Sequence, residues 1–200
     1  PCVWLCKYLD TLCYNELMAT TILVVNPKGG TGKTTVADEL VFGFQARQYR
    51  TGFINLDNQG GAIHDTDEES VLYSSDVVVI DTPGRLDEHT TAWLSDADFV
   101  LVVSRPSVRD LPATVELIDL IPESKRWGMV VNGYSSTEVA SREFLEVAEQ
   151  RNWPIVGKLP HSAQFVRAAT ASKSVTDLYP YSPPAGAVNE LVANLVKEIA

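Results

Sequence analysis

Beyond residue 13 this chain of 200 residues contains no cysteine; Cys2, Cys6 and Cys13 are the full set. An odd number of thiols crowded into one end excludes a disulfide framework through the body and points to a reducing compartment. Their spacing is neither CxxC nor another zinc pattern, so no metal site is expected there. The chain also lacks any run of 18 apolar residues, which excludes a membrane-spanning helix. Basic charge is scarce: 16 Lys and Arg face 26 Asp and Glu, for a formal net charge of −10. Such a molecule as a whole repels DNA and acidic lipid, and nucleic-acid contact would need a local basic patch. Residues 138–200 carry six Lys/Arg against seven Asp/Glu, leaving −9 for the first 137 residues. A patch is therefore expected in the C-terminal third. The opening residues show no basic n-region, long apolar block or small-residue cleavage site, so no secretory signal is expected.

What is present suits one domain: 45% of residues are hydrophobic, enough for a sizeable core. Met18-Ala19-Thr20-Thr21 reads like a translation start placed directly before a strand. Residues 1–17 are accordingly expected to be a leader or extension, and 18–200 a single domain. Within the leader, Leu5, Tyr8, Leu9 and Leu12 have helix-like spacing, which leaves a short docking helix as the other reading. Apolar runs at Ile22–Val25, Thr51–Asp57, Val77–Asp81, Phe99–Val103, Trp127–Asn132 and Ile155–Leu159 predict strands. Helical patterns fall at Thr34–Gln48, near Leu111–Ile121 and Glu138–Arg151, and at about Ala187–Ile199 after a proline-containing loop. Continuous β-branched runs separated by helices predict an α/β fold. Its mostly parallel sheet is doubly wound and flanked by helices in three αβα layers.

The first strand runs into Asn26-Pro27-Lys28-Gly29-Gly30-Thr31-Gly32-Lys33-Thr34-Thr35. A strict P-loop reads GxxxxGK[ST]; here Pro27 stands where the first glycine would be, and Lys28 with Gly29-Gly30 follows. Glycines let backbone N–H groups converge on phosphate oxygens that a Cβ would obstruct. Lys33 is placed to reach the β- and γ-phosphates and Thr34 to ligate Mg²⁺, while the helix N-terminus faces the anion. Candidate ATP contacts are thus Lys28, Gly29, Gly30, Thr31, Gly32, Lys33, Thr34 and Thr35.

This stretch resembles the deviant Walker A motif, KGGxGK[ST], of the ParA/MinD family of P-loop ATPases. In that family the early lysine, matched by Lys28, crosses a dimer interface to the partner's nucleotide. Two further motifs agree. Phe53–Gly60 is similar to the family's D-x-Q motif, in which Asp57 matches the aspartate that orients or deprotonates the attacking water. Asn58 replaces a frequent proline. Val77–Gly84, VVVIDTPG, resembles Walker B plus switch II: the resemblance implies that Asp81 holds Mg²⁺ through water and that the Gly84 amide senses the γ-phosphate. More loosely, Asn132 matches the residue that reads adenine, with one donor and one acceptor. Pro160 matches the proline near the base, and Phe165–Ala169 the helix after it. Lys28, Lys33 and Asp57 are the implied catalytic set. Gly61–Asp76 is shorter than in many relatives and acidic; its Asp65, Asp67, Glu68 and Glu69 are read as a solvated loop.

The resemblance implies a slow, partner-stimulated ATP hydrolase that uses Mg²⁺. It would form an ATP-dependent homodimer, bind non-specific DNA and position plasmid, chromosome or protein cargo with a ParB-like or adaptor protein. It would be cytoplasmic and nucleoid-associated, with no membrane partner. Candidate DNA contacts are Arg142, Arg151, Arg167, Lys173 and Lys197. A MinD-like membrane-cycling ATPase is the alternative. It calls for a terminal helix rich in basic and bulky apolar residues, whereas Leu191–Ala200 has one lysine, one glutamate and no aromatic. A metabolic P-loop enzyme stands third; a metal-cluster carrier is disfavoured by the absence of cysteine from the ATPase body.

Overall fold

A computed structural model describes residues 18–57, 60–68, 70–85 and 88–199. The leader and Asn58, Gln59 and Glu69 lie outside the described residues. Six strands form one sheet: β1 (Thr20–Val25), β2 (Thr51–Asn55), β3 (Val77–Asp81), β4 (Phe99–Ser104), β5 (Arg126–Tyr134) and β6 (Ile155–Pro160). Their order is β2-β3-β1-β4-β5-β6, and every pairing is parallel. Helices α1 (Lys33–Gln45), α2 (Val71–Ser74), α3 (Glu88–Asp96), α4 (Leu111–Leu120), α5 (Val139–Gln150), α6 (Ala163–Thr170), α7 (Val175–Leu178) and α8 (Pro183–Ile199) cover it.

The strands read as unbroken apolar runs because both faces of the sheet are buried. Side chains alternate between two cores. Ile22, Val24, Val77, Val79, Phe99 and Leu101 join α1, α6 and α8 through residues such as Leu40, Phe44, Phe165, Leu191 and Leu195. Leu23, Val25, Val78, Ile80, Val100 and Val102 face Leu94 of α3, Leu117 of α4 and Phe144 of α5. Strand order reverses at β1, which lies between β3 and β4. In open α/β sheets the crevice at the carboxyl ends of such neighbours is where ligands bind. The segment after Val25 opens there.

Three local outcomes differ from the sequence reading. Helix α8 begins at Pro183, four residues before the expected Ala187. Proline lacks only an N–H that the first helical turn leaves unbonded anyway, so Pro183-Pro184 starts the helix rather than extending the loop. Helix α3 had no apolar period to announce it: in Glu88–Asp96 only Trp93 and Leu94 are large and apolar. The acidic stretch before β3 is docked and not merely solvated. The Asp67 carboxylate accepts the Phe53 N–H at 2.9 Å, the Thr66 hydroxyl accepts that of Asn55 at 3.3 Å, and the Asp67 N–H donates to the Phe53 carbonyl. These bonds occupy the free edge of β2 and cap an otherwise open sheet.

Glu39 of α1 is 4% exposed, and its Oε1 accepts the Val175 N–H at 2.8 Å, fastening α7 to α1. Burial pushes its carboxyl up to about 7 from an ordinary 4.5, with Asp38 and Asp177 adding to the rise. Between those two values the unfolded chain gives up the proton while the native state keeps it. Stability therefore falls as pH rises through that window, by up to about 3 kcal/mol at roughly 1.4 kcal/mol per pKa unit, and levels off above it. Glu39→Gln should flatten this slope. Thermal melts of wild type and variant at pH 5 and pH 8 check it; parallel slopes would exclude Glu39 as their cause.

Candidate functional site

The loop between β1 and α1 is anchored before it turns. Asn26 is fully buried; its Oδ1 accepts the Lys28 N–H at 2.9 Å, and its amide reaches the Thr114 hydroxyl of α4 at 3.4 Å. Thr114 in turn meets the Ser104 hydroxyl at the end of β4 at 2.9 Å. The loop then curls through Gly30 and Gly32, at φ 76° and 92°. The Lys33 ammonium donates to the Lys28 carbonyl at 3.2 Å, spanning the loop it will serve. Burial lowers the Lys33 pKa, while nearby Asp81 and Asp57 favour its charged form.

Gly32 also meets the other side of the sheet. The Asn132 amide donates to the Thr31 carbonyl at 2.7 Å, and a Cβ on Gly32 would stand 2.1 Å from that nitrogen. Asn132 thus serves first to hold the loop. Its Oδ1 and second amide hydrogen remain, the one acceptor and one donor that reading a base would use. Pro160 is half-buried at the end of β6, in register with Tyr134. Gly32→Ala combines left-handed backbone strain of about 1–2 kcal/mol with eviction of Asn132. A lower melting temperature and weaker ATP binding are expected together; a variant with both values of the wild type would show that the loop tolerates the Cβ.

At the carboxyl end of β3, the Thr34 hydroxyl donates to Asp81 Oδ2 at 2.7 Å. Asp81 Oδ1 is buried with no hydrogen-bond partner among the described residues. Burial pushes this carboxyl up to about 6, against the pull of Thr34 and Lys33. A buried carboxylate with an unoccupied oxygen beside a threonine hydroxyl is a hard oxygen donor set suited to Mg²⁺. The residues therefore fit the ion that the sequence reading assigned to Thr34 and Asp81. Among the described residues no group of three or more His, Cys, Asp or Glu side chains is arranged to hold a metal by itself.

Asp57 follows β2, where its N–H donates to Asn55 Oδ1 at 2.8 Å. It lines a cavity of about 560 Å³ with Gly29, Gly30, Lys33, Thr34, Thr35 and Gly84. Gly84 approaches the loop so closely that a Cβ would lie 2.9 Å from the Gly29 Cα. The γ-phosphate end of the expected site, the second-motif aspartate and the switch glycine are thus in one place. A second cavity of about 350 Å³ shares Gly29 and Gly30 with the first and is lined by Lys28, Arg105, Arg109, Asp110 and Glu138. The Lys28 ammonium pairs with the Asp110 carboxylate at the start of α4 and donates to the Arg109 carbonyl at 3.3 Å. Lys28 is therefore turned away from its own phosphate cavity.

The five candidate DNA contacts are all exposed, but the fold divides them. Arg142 and Arg151 belong to α5 and its end, over one core. Arg167, Lys173 and Lys197 belong to α6, the turn after it and α8, over the other. Arg151 also lies over the Trp153 ring at 5.6 Å. Sequence reasoning passed over Asn26, Asp38, Glu39, His64 and Asp110. The readable signal was the acidic pair Asp38-Glu39 inside the apolar face of α1, since buried carboxylates require partners.

Comparisons with known proteins bear on the family and the fold. Residues 22–175 match the profile of the CobQ/CobB/MinD/ParA nucleotide-binding domain. The chain is 33% identical over 132 residues to maintenance of carboxysome distribution protein A of Halothiobacillus neapolitanus, covering 54% of this chain and 61% of that protein. It is 28% identical over 142 residues to an ATP-binding protein of Methanocaldococcus jannaschii, covering 68% of this chain and 48% of that protein. The chain thus spans about half to three-fifths of the length of these curated relatives. Among solved structures, apo McdA from Cyanothece superposes with a TM-score of 0.75 at 14% identity, covering 89% of this chain and 99% of that one. The Mg-ADP complex of the septum site-determining protein MinD from Pyrococcus horikoshii gives 0.74 at 17%, covering 90% and 97%. At such identities the likeness attests the fold, while the profile spans most of the chain: it belongs to the CobQ/CobB/MinD/ParA family of nucleotide-binding domains.

Proposed function

We propose that this chain is a Mg²⁺-dependent ATPase that pairs face to face with a second copy around two ATP molecules. In that state it binds DNA without sequence preference and positions a large cargo on the nucleoid. The observation that carries the reading is the convergence of Lys33, Thr34, Asp57 and Gly84 on one cavity beneath a deviant P-loop, with buried Asp81 bonded to Thr34 behind it. In hydrolysis, water attacks the γ-phosphorus as the bond to the β-phosphate oxygen breaks. Lys33 and the loop amides hold the phosphate oxygens, and Asp57 orients the water and takes its proton. Thr34 and Asp81 would hold Mg²⁺, which would supply positive charge against the departing diphosphate. The Gly84 amide reports the presence of the γ-phosphate.

Turnover is slow in this proposal until an activating ParB-like or adaptor protein engages the dimer. Resemblance to a carboxysome distribution protein favours a large protein body over a plasmid or chromosome as cargo. Val188, Leu191, Val192 and Leu195 of α8 are buried in the core, so this helix does not itself offer the apolar face that the membrane-cycling alternative calls for. Among the described residues, no helix is long and apolar enough to cross a membrane. DNA contact by an acidic chain is expected to be strongly salt-sensitive. Size-exclusion chromatography of Asp57→Ala with ATP or ADP, with and without DNA, tests the whole cycle. Dimers with ATP alone, and DNA retention only by those dimers at low salt, are expected. DNA retention in no nucleotide state, or equally in all, would count against the DNA-based reading.

A further inference from the structure

Asp38 is 3% exposed, one helical turn beyond Thr34 on α1. A carboxylate so buried needs compensation, and here it comes from one distant segment. Both Asp38 oxygens accept the Ile63 N–H at 3.0 Å; Oδ1 also meets the His64 N–H at 3.3 Å and His64 Nδ1 at 2.9 Å. The His64 ring sits 4.4 Å from the Phe42 ring, a turn further along α1, and 5.8 Å from that of Phe53 on β2. This grip closes six residues after Asp57. Between them Gly60 and Gly61 take φ of 75° and 103°, and the Gly60 N–H donates back to the Asp57 carbonyl at 3.4 Å.

We propose that Asp38 and His64 are positioning residues that clamp the far end of the Asp57 turn to the P-loop helix; this rests on the ATPase reading above. Two supports of the turn lie among the described residues. One is β2, where Asn55 receives the Asp57 N–H. The other is Asp38, which shares a rigid helix with Lys33 and Thr34. Through it, the frame that holds the phosphates also sets where the Asp57 carboxylate points. Releasing the clamp leaves the phosphate contacts in place and lets the aspartate wander from the line of attack. A merely structural role would change stability and leave turnover per folded molecule as it was.

The test uses the full chain and compares single-turnover ATP hydrolysis, ATP affinity and thermal melts of wild type, Asp38→Ala, Asp38→Asn and His64→Phe. In Asp38→Ala the hydrolysis rate should fall on the order of 10²-fold, as expected when a reacting group is misplaced by about an ångström. ATP affinity should stay within about threefold, since the lost interaction acts on the chemical step. Asp38→Asn keeps an acceptor for the Ile63 N–H and should recover most of the rate. His64→Phe keeps a ring between Phe42 and Phe53 without the bond to Asp38 and should fall between. Unchanged rates in Asp38→Ala and His64→Phe, with only the melts displaced, would overturn the clamp. So would weakened ATP binding at an unchanged rate. If Asp38→Ala does not fold, His64→Phe decides alone, a wild-type rate refuting the proposal. Wild-type protein that binds ATP without hydrolysing it would instead bring down the ATPase reading, and the clamp with it.

Discussion

Asp57→Ala is expected to bind ATP and pair with a second copy while losing hydrolysis by about 10²–10⁴-fold, the usual contribution of a positioned general base. Asp57 is the carboxylate beyond β2 that lines the phosphate cavity, and its N–H is already held by Asn55. Its side chain adds negative potential beside Lys33 and Asp81, favouring the charged form of the first and opposing that of the second. Removing it takes away the proton acceptor and relieves that repulsion, so nucleotide affinity should hold or rise. A fluorescent ATP analogue, a coupled ADP-release assay and chromatography measure the three quantities on one preparation. Normal turnover in the variant would remove Asp57 from the mechanism and shift attention to a water held elsewhere.

Lys33→Ala should abolish useful ATP binding. Single preorganised donors in water-poor sites are worth roughly 2.7–4 kcal/mol, or about 10²–10³-fold. Two things raise the effect here. Lys33 is 6% exposed and its ammonium spans the loop to the Lys28 carbonyl, so its loss also loosens the loop. It is also a cationic neighbour that draws down the raised pKa of Asp81. Without Lys33 that carboxyl becomes harder to ionise and poorer at holding a cation. Titration with ATP in the presence of Mg²⁺ should show the loss at constant fold by far-UV circular dichroism. Lys33→Arg is not expected to rescue, because a planar guanidinium cannot replace a compact point charge inside a narrow loop. Affinity within a few-fold of the wild type would contradict the assignment.

The central strands were legible because parallel strands buried on both faces leave runs such as Val77–Ile80 and Phe99–Val103 with no polar interruption. The loop was legible because phosphate cradling demands glycine and lysine at fixed spacing. Helix α3 was not, since Glu88–Asp96 buries little and so carries little period. The clamp was not either: Asp38 and His64 are 26 positions apart, and only folding makes the buried carboxylate and the imidazole a pair. The bond of Asn132 to the Thr31 carbonyl was not legible either, because it depends on β5 passing beside the loop. Basic residues gave the least. Their side of the sheet is fixed by which helix they ride, and sequence distance hides that Arg142 and Arg167 face away from each other's core.

The contact of Lys28 with Asp110 has a kinetic corollary under the proposed dimer. A cation docked at the start of α4 in its own subunit would not assist at its own nucleotide, so an isolated subunit would be a silent one. Catalytic output would then follow encounters, climbing with roughly the square of protein concentration when subunits are dilute, and straightening once every copy has a mate. Local crowding on a DNA track would act as the throttle, turning the enzyme on where copies gather and leaving stragglers loaded and idle.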